Sequence, residues 1–524
     1  GRAEDLLMRM IANFDEGTTN IVPDAVSYTC VLDALAYSHS ERAAERAQAL
    51  VDTMFERHKR DANACLPDTI CLTALINNWA KSGMNGSAQK AEDVLDLMEA
   101  LYEEGYEDAM PNLISFNTAM NAWAKSGERN AGAKAEALFH RIRKINKSGK
   151  YGMKEPDQIT YNSLVEAWSK TRSSAAAEKA NQWLLKMDKS CRLGPKAYSY
   201  AAVIGAWSRC GRPGAVFKAE QVFDMMRAKY IAGNNFVRPN IDAYNNLIIA
   251  WANSGEDEAA ENAERILRQM EAECEAGSVY VIPNALTYSS VINAWTRSLD
   301  PDAPDRAEAI LSILEADYTG SRKLSVNPFS YLAVMNLWAK SNHPDKASKV
   351  VNIHDRMKRL HDQGIHQLKP SAQSYTTVIN ACAFSGFEAN EEKKTSILKI
   401  ATDAFKEIQL SKYASPTDVT YGTYIKACYN LSVSRNGELL RKLITEAFIK
   451  GKEDGLVSEF VLKQLKVAAP SDLYDELLGI PESSSSAESR VDYASGETTH
   501  YPWIPEEWSR NVEENVRRRP PNRR

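Results

Sequence analysis

The sequence of 524 residues predicts an all-α protein, an α-solenoid of about ten helical-hairpin repeats of roughly 44 residues. The first sign is the segment ISFNTAMNAWAKSG, from Ile114 to Gly127, near copies of which recur along the chain. Its anchor position holds Tyr28, Leu72, Phe116, Tyr161, Tyr200, Tyr244, Tyr288, Tyr331, Tyr375 and Tyr421, spaced by 44, 44, 45, 39, 44, 44, 43, 44 and 46 residues. A steady period of this size, with two helical patterns per unit, is the mark of stacked repeats. The second sign is a proline five residues before the anchor in nine of the ten copies: Pro23, Pro67, Pro111, Pro156, Pro195, Pro239, Pro283, Pro370 and Pro416. Each closes a loop and sets the start of a new helix. The third is a tryptophan seven residues after the anchor (Trp79, Trp123, Trp168, Trp207, Trp251, Trp295, Trp338), replaced by Leu35, Cys382 and Cys428 in the outer copies.

Taken in order, residues 1–22 read as the second helix of a repeat whose first helix lies before residue 1, so the chain is expected to be part of a longer protein. Residues 23–450 form the repeat array. In each first helix the anchor, the residue four on and the tryptophan fall within an arc of about 60° and form one buried stripe. Phe116, Met120 and Trp123 are one such set, and Tyr161, Val165 and Trp168 the next. The second helices carry Ala91-Glu92, Ala135-Glu136, Ala219-Glu220, Ala263-Glu264 and Ala307-Glu308, where the small alanine permits close helix approach. Short turns such as Ser82-Gly83-Met84-Asn85-Gly86 join the two helices. No hairpin can bury its own apolar face alone, so stacking supplies the core. Residues 451–480 read as capping helices. From 481 to 524 the composition shifts to serine, proline and arginine and predicts a disordered tail. Within it, Trp503 and Trp508 are candidates to dock on the cap or a partner, and Arg517, Arg518, Arg519, Arg523 and Arg524 to touch phosphate.

Composition narrows the function classes. With 44% hydrophobic and 25% charged residues the chain can bury a large core. A net charge of -5 and a pI near 6.0 exclude binding to nucleic acid through a global positive field, leaving room for a local basic stripe. No apolar run approaches the ~18 residues that cross a bilayer, so no membrane role is expected. The eight cysteines form no C-x-x-C pair and read as reduced thiols.

The first helices carry a second stripe, at positions -2, +1, +5 and +9 from the anchor. Position -2 is apolar in eight copies: Val26, Ile70, Ile114, Ile159, Tyr198, Leu286, Phe329 and Val419. Position +1 is mostly small and polar: Thr29, Thr73, Asn117, Asn162, Asn245, Ser289 and Thr376. Position +5 is Asn77, Asn121, Asn293, Asn336 or Asn380 in half the copies, and +9 is Lys81, Lys125, Lys170, Arg209, Arg297 or Lys340 in six. An apolar platform, a group that meets a base edge and a cation for phosphate together make a site for one unstacked nucleotide of single-stranded RNA. A solvated helix face also holds polar residues and lysines; the four-part pattern stands out because it recurs in register.

These first helices (ISFNTAMNAWAKSG, ITYNSLVEAWSK, LTYSSVINAWTRS, SYTTVINACAFSG) resemble the pentatricopeptide repeat family over about residues 23–450. The units are longer than the family's usual repeat, and tryptophan stands where the family pattern does not ask for it. The resemblance implies a right-handed solenoid that binds single-stranded RNA sequence-selectively in a mitochondrion or plastid, for RNA processing, stability or translation, without catalysis or cofactor of its own. It assigns base choice to the residue after the anchor together with the residue after the closing proline. The implied pairs are Thr29 with Asp68, Thr73 with Asn112, Asn117 with Asp157, Asn162 with Lys196, Ala201 with Asn240, Asn245 with Asn284, and Ser289 with Asn327. By that analogy they read G, A, U, two unreadable positions, a pyrimidine and A. Val326 replaces the proline before Asn327, the pairs Leu332 with Ser371 and Thr376 with Thr417 fit the pattern poorly, and Gly422 has no clear partner, so the last units are expected only to stack and cap.

Enzyme motifs are missing. His39-Ser40-Glu41 matches half of a zinc deaminase signature, but the C-x-x-C half has no counterpart. His354, His361 and His366 cluster in sequence, and the first two are expected to face solvent from a charged second helix rather than hold a metal. There is no P-loop or dinucleotide fingerprint. The rival class is a protein-binding scaffold, such as a subunit of a mitochondrial ribosome or another ribonucleoprotein, and a third is an adapter that brings a nuclease to RNA.

Overall fold

The computed structural model describes residues 1–38, 42–61, 64–190, 194–319, 326–385, 390–434, 437–479 and 504–512. The motif at residues 39–41, Trp503 and the terminal arginines lie outside them. The described residues form helices and no strands, and divide into two compact units, Gly1–Pro283 and Asn284–Arg524.

In the first unit, α1 (Arg2–Asp15) precedes six hairpins. Their first helices are α2 (Ala25–Ala36), α4 (Thr69–Ser82), α6 (Leu113–Ser126), α8 (Gln158–Lys170), α10 (Ala197–Arg209) and α12 (Ile241–Ser254). Their second helices are α3 (Ala43–Arg60), α5 (Ser87–Glu103), α7 (Ala131–Ser148), α9 (Ser174–Ser190), α11 (Ala215–Ile231) and α13 (Ala259–Glu275). In the second unit the first helices are α14 (Ala285–Trp295), α16 (Pro328–Lys340), α18 (Ala372–Ala383) and α20 (Asp418–Leu431), followed respectively by α15 (Ala303–Thr319), α17 (Lys346–Asp362), α19 (Glu391–Leu410) and α21 (Glu438–Glu453). Then come α22 (Glu459–Ala468), α23 (Ser471–Leu478) and α24 (Glu506–Ser509). Within each unit every first helix packs on the next first helix and on the second helices that flank it. This is a solenoid of stacked hairpins.

All ten anchors are buried, and so is every tryptophan of the stripe except the half-buried Trp168. Many of the indoles are capped by a cation eleven residues on, carried by the second helix of the same hairpin. Lys90 lies 4.2 Å above Trp79, Lys134 5.2 Å above Trp123 and, in the second unit, Lys349 4.8 Å above Trp338. Each such contact adds about 0.5–2 kcal/mol depending on desolvation. Trp168 has Lys179 over its ring at 5.9 Å and also lies over Gly132, where a Cβ would come within 2.4 Å of the indole, so that position needs glycine.

The second helices are laced together by ion pairs between residues roughly one repeat apart. Arg141 reaches Asp96 at 2.7 Å and Glu99 at 2.6 Å, Lys179 reaches Glu136 at 3.2 Å and, in the second unit, Arg356 reaches Glu315 at 2.6 Å and Glu308 at 3.3 Å. Arg46 pairs with Glu4 and Arg57 with Asp15, which gives α1 the same link to α3 that second helices make with each other. Single exposed pairs stabilise little, but they use up much of the charge on this face.

α22 packs on α20 as a further first helix would, and the Phe460 ring covers Gly422, where a Cβ would meet it at 2.4 Å. Composition predicts disorder throughout 481–524, yet residues 504–512 are held against α21. The Val457 N–H donates to the Trp508 carbonyl at 2.7 Å, and the Asn511 side chain donates to the Asp454 carbonyl at 2.7 Å. Trp508 packs edge-on against Phe448 at 6.0 Å under the Lys452 ammonium at 4.0 Å. Backbone hydrogen bonds and one aromatic anchor outweigh the polar composition of the segment.

His354 is also corrected: it is buried, with its ring edge-on to Tyr375 at 4.6 Å, and its Nε2 has no hydrogen-bond partner. Burial, helped by the Lys358 charge, pulls its pKa down to about 4, against the opposing pull of Glu407 and Asp355. His361 is half-buried beside Tyr413 at 5.0 Å. The fold therefore holds His354 neutral, while the unfolded chain binds its proton with an ordinary pKa near ~6.5. The stability involved is present in full above that pH and is lost as pH falls toward the native value, by about 3 kcal/mol at pH 4. Denaturant melts of the chain and of His354→Leu between pH 7 and 4 are expected to diverge, the variant losing less stability on acidification.

Candidate nucleic-acid interface

The first helices begin alike, apart from α10, where Lys196 makes no side-chain cap, and α16, where Val326 replaces the proline. The residue after the proline is the N-cap: Asp68 accepts from the Cys71 N–H at 2.7 Å, Asn112 from Ser115 at 3.0 Å, Asp157 from Thr160 at 2.9 Å, and Asn240 from Ala243 at 3.0 Å. In the second unit Asn284 accepts from Thr287 at 3.0 Å, Asn327 from Ser330 at 3.0 Å, and Ser371 and Thr417 cap likewise. Such caps contribute about 1 kcal/mol each. Asp or Asn at these positions thus has a structural reason to be there, which the sequence reading gave to base choice alone.

Position +1 is tied to the cap of the next first helix. The Asn117 Nδ2 donates to Asp157 Oδ1 at 3.3 Å, and in the second unit the Asn327 Nδ2 donates to Ser289 Oγ at 3.3 Å. These two implied pairs are brought together. Others are not: Thr29 meets Cys71 Sγ at 3.0 Å and the Ala25 carbonyl at 2.9 Å, and Asn162 accepts from Ser199 at 2.7 Å. Thr376 likewise meets Thr420 at 2.8 Å. Cys71, Ser199 and Thr420 all sit one residue before an anchor, a position that is small and polar in nearly every copy and buried in all but Ser27. A hydroxyl three residues after an Asp or Asn is a capping signal and could have marked this row. Thr73 caps nothing and its Oγ1 is buried without a partner, while Asn245 is buried in the first unit and Asn284 belongs to the second.

The -2 row is exposed as the stripe requires. Val26, Ile70, Ile114 and Ile159 are each at least 60% exposed, Tyr198 48%, and in the second unit Leu286 53% and Phe329 77%. Large apolar side chains standing in a register row outside the core mark a contact surface. Among α6, α8 and α10 the row flanks a groove of about 400 Å³, lined by Ile114, Asn117, Asp157, Ile159, Asn162 and Tyr198 among others. Asn117 is more than nine-tenths buried there, yet its Oδ1 has no hydrogen-bond partner among the described residues. A buried orphan acceptor is costly unless something donates to it.

The cations at +9 stand at or near the C-terminal ends of their helices, where they also complement the helix dipole. They are exposed but not equally free. Lys125 and Lys340 form no ion pair among the described residues, Lys81 lies 3.6 Å over the Tyr37 ring, and Lys170 is engaged by Glu166 at 2.7 Å. Arg209 donates to the Ser169 carbonyl at 3.2 Å, and partial desolvation with the neighbouring Arg172 lowers its pKa below the usual arginine range. Arg297 is exposed on the second unit.

No protein-family model and no curated protein matches this chain. Among solved structures, it matches the crystal structure of the pentatricopeptide repeat protein PPR10 from maize at 20% identity, with a TM-score of 0.40, covering 90% of this chain and 64% of that one. The chain is similar to a pentatricopeptide repeat protein. It also matches PPR10 in complex with an 18-nt psaJ RNA element, and a triple cysteine-to-serine variant of PPR10 with the same RNA element. Both show 16% identity and a TM-score of 0.32, over 92% of this chain and 72% of theirs.

Proposed function

We propose that the first-helix face binds single-stranded RNA with base selection, one nucleotide per hairpin, and that the chain acts by occupying an organellar transcript. The observation that carries this reading is the groove among α6, α8 and α10, where exposed Ile114, Ile159 and Tyr198 flank the buried, unpartnered Asn117 Oδ1. A base lodged between apolar side chains stacks on them, and its edge meets the Asn117 and Asp157 pair. That pair is rich in acceptors. It favours a base edge with an N–H, as on uracil or guanine, over the ring-nitrogen acceptor of cytosine or adenine; the family resemblance narrows this to uracil. The other assigned residues, Thr29, Asp68, Thr73, Asn112, Asn162, Asn245, Asn284, Ser289 and Asn327, hold the equivalent positions at neighbouring sites. The net charge of -5 does not oppose this, because the second helices spend their acids on one another's basic side chains, while Lys125 forms no ion pair among the described residues.

Asn caps as well as Asp, so Asn117→Ser with Asp157→Asn leaves the helix start intact while changing the group offered to the base. Selection from randomised RNA should then relax or switch at one nucleotide only; an equal fall in affinity for every sequence would falsify base readout. Lys125→Ala is expected to weaken binding to all sequences and reduce the salt slope by about one, and Lys170→Ala by less because Glu166 already engages it. An unchanged slope for Lys125→Ala counts against a phosphate contact.

A further inference from the structure

The loop edge, where second helices end and the next first helices begin, carries a surface that RNA reading on the first-helix face does not use. In the first unit a groove of about 450 Å³ lies between the C-terminal ends of α11 and α13 and the loops that follow them. Arg238 crosses it. Its guanidinium stands 5.1 Å from the Tyr230 ring centre and 4.7 Å from that of Tyr280, and its Nε donates to the Tyr230 hydroxyl at 2.9 Å. Arg227 lines the same groove. Neither arginine forms an ion pair among the described residues, in contrast to Arg141 or Lys179 on other second helices. Glu273, the carboxylate in this lining, already accepts from the Tyr244 hydroxyl at 2.6 Å and from Gln269 at 3.2 Å. The rim is apolar and exposed: Ile231 74%, Val279 72% and Tyr280 55%.

In the second unit the corresponding edge of another hairpin is occupied by the chain itself. Phe448 and Lys452 lie toward the C-terminal end of α21, as Arg227 and Ile231 lie toward that of α11. On Phe448 and Lys452 lies Trp508, within the strip IPEEWSRNV of residues 504–512, held by backbone hydrogen bonds to the loop after α21. This edge of a hairpin therefore accepts a short helical segment through its aromatic side chain, with Glu506 and Glu507 left exposed beside it.

We infer that the groove at the ends of α11 and α13 binds a short peptide of a partner protein, one that presents an acidic side chain beside a large apolar or aromatic one. Charge complementarity selects the acid: two arginines face the groove, and its lining carboxylate is already engaged. A guanidinium lying against two rings offers its remaining N–H edge to a carboxylate with little further loss of side-chain freedom. The apolar neighbour covers Ile231 and Val279, the kind of anchor that dominates protein interfaces together with Tyr and Arg.

The test measures fluorescence anisotropy of the labelled peptide IPEEWSRNV, and of its counterpart with lysines in place of both glutamates, against the full chain. The acidic peptide is expected to bind roughly tenfold tighter than its counterpart, as a close charge pair is worth. Arg227→Glu with Arg238→Glu should invert that preference, which also shows that the variant is folded, while Phe448→Ala should leave it unchanged. RNA affinity should not change in the inverted variant, so a failure of RNA binding and a failure of peptide binding are read separately. Equal binding of both peptides, no response to the double reversal, or displacement of the peptide by single-stranded RNA would each overturn the inference.

Discussion

Several first helices in this chain are positioned by a hydrogen-bonded joint between successive repeats, although Ala201, Leu332 and Gly422 carry no +1 group that could form it and the Thr73 hydroxyl has no partner among the described residues. The residue after the proline caps the helix, a small polar residue three positions on is buried beside the cap, and the +1 side chain of the previous first helix bonds to one or the other. Asn117 with Asp157, Asn162 with Ser199 and Thr376 with Thr420 are three forms of it. Buried polar groups must be satisfied, so the joint sets the register between neighbouring first helices more sharply than apolar packing alone can. With register set, the anchors and tryptophans fall into the core and the -2 residues fall outside it.

The joint also constrains function. On the proposed reading the residues that would meet a base edge are the ones that hold the helices together, so a change in base preference would risk a change in stability. Asn and Asp share the capping role, which leaves room for the base-facing group to vary while the helix start is kept. Where the joint is already saturated, as when Ser199 occupies the Asn162 Oδ1, less remains for a ligand. Where an acceptor is left over, as on Asn117, the site is incomplete without a donor. At the far end Gly422 gives up the +1 side chain altogether and lies under Phe460.

The architecture was legible in the sequence because it is periodic. Proline, anchor and tryptophan recur at fixed offsets, and the buried stripe Phe116, Met120 and Trp123 lies where helical spacing puts it. The exposure of Ile114 and Ile159 follows from the same geometry. What stayed hidden depends on contacts between elements distant in sequence. The capping role of Asp68 and Asn112 competes with the role that the family resemblance assigns them. The burial of His354 depends on the Tyr375 ring packed against it, so a charged helix sequence misplaces it in solvent. The sequence marks Trp508 as a candidate to dock, but the backbone hydrogen bonds that hold residues 504–512 are not encoded in composition.

The division of labour between the two helices of each hairpin is the central claim, and hydrogen exchange tests it directly. Amide exchange of the full chain should be measured with and without an RNA selected from a random pool. Peptides covering residues 112–126 and 157–170 are expected to slow on binding, while those covering 131–148 and 174–190 keep their rates. Protection concentrated on the second helices, or on the loop edge near Arg238, would contradict it.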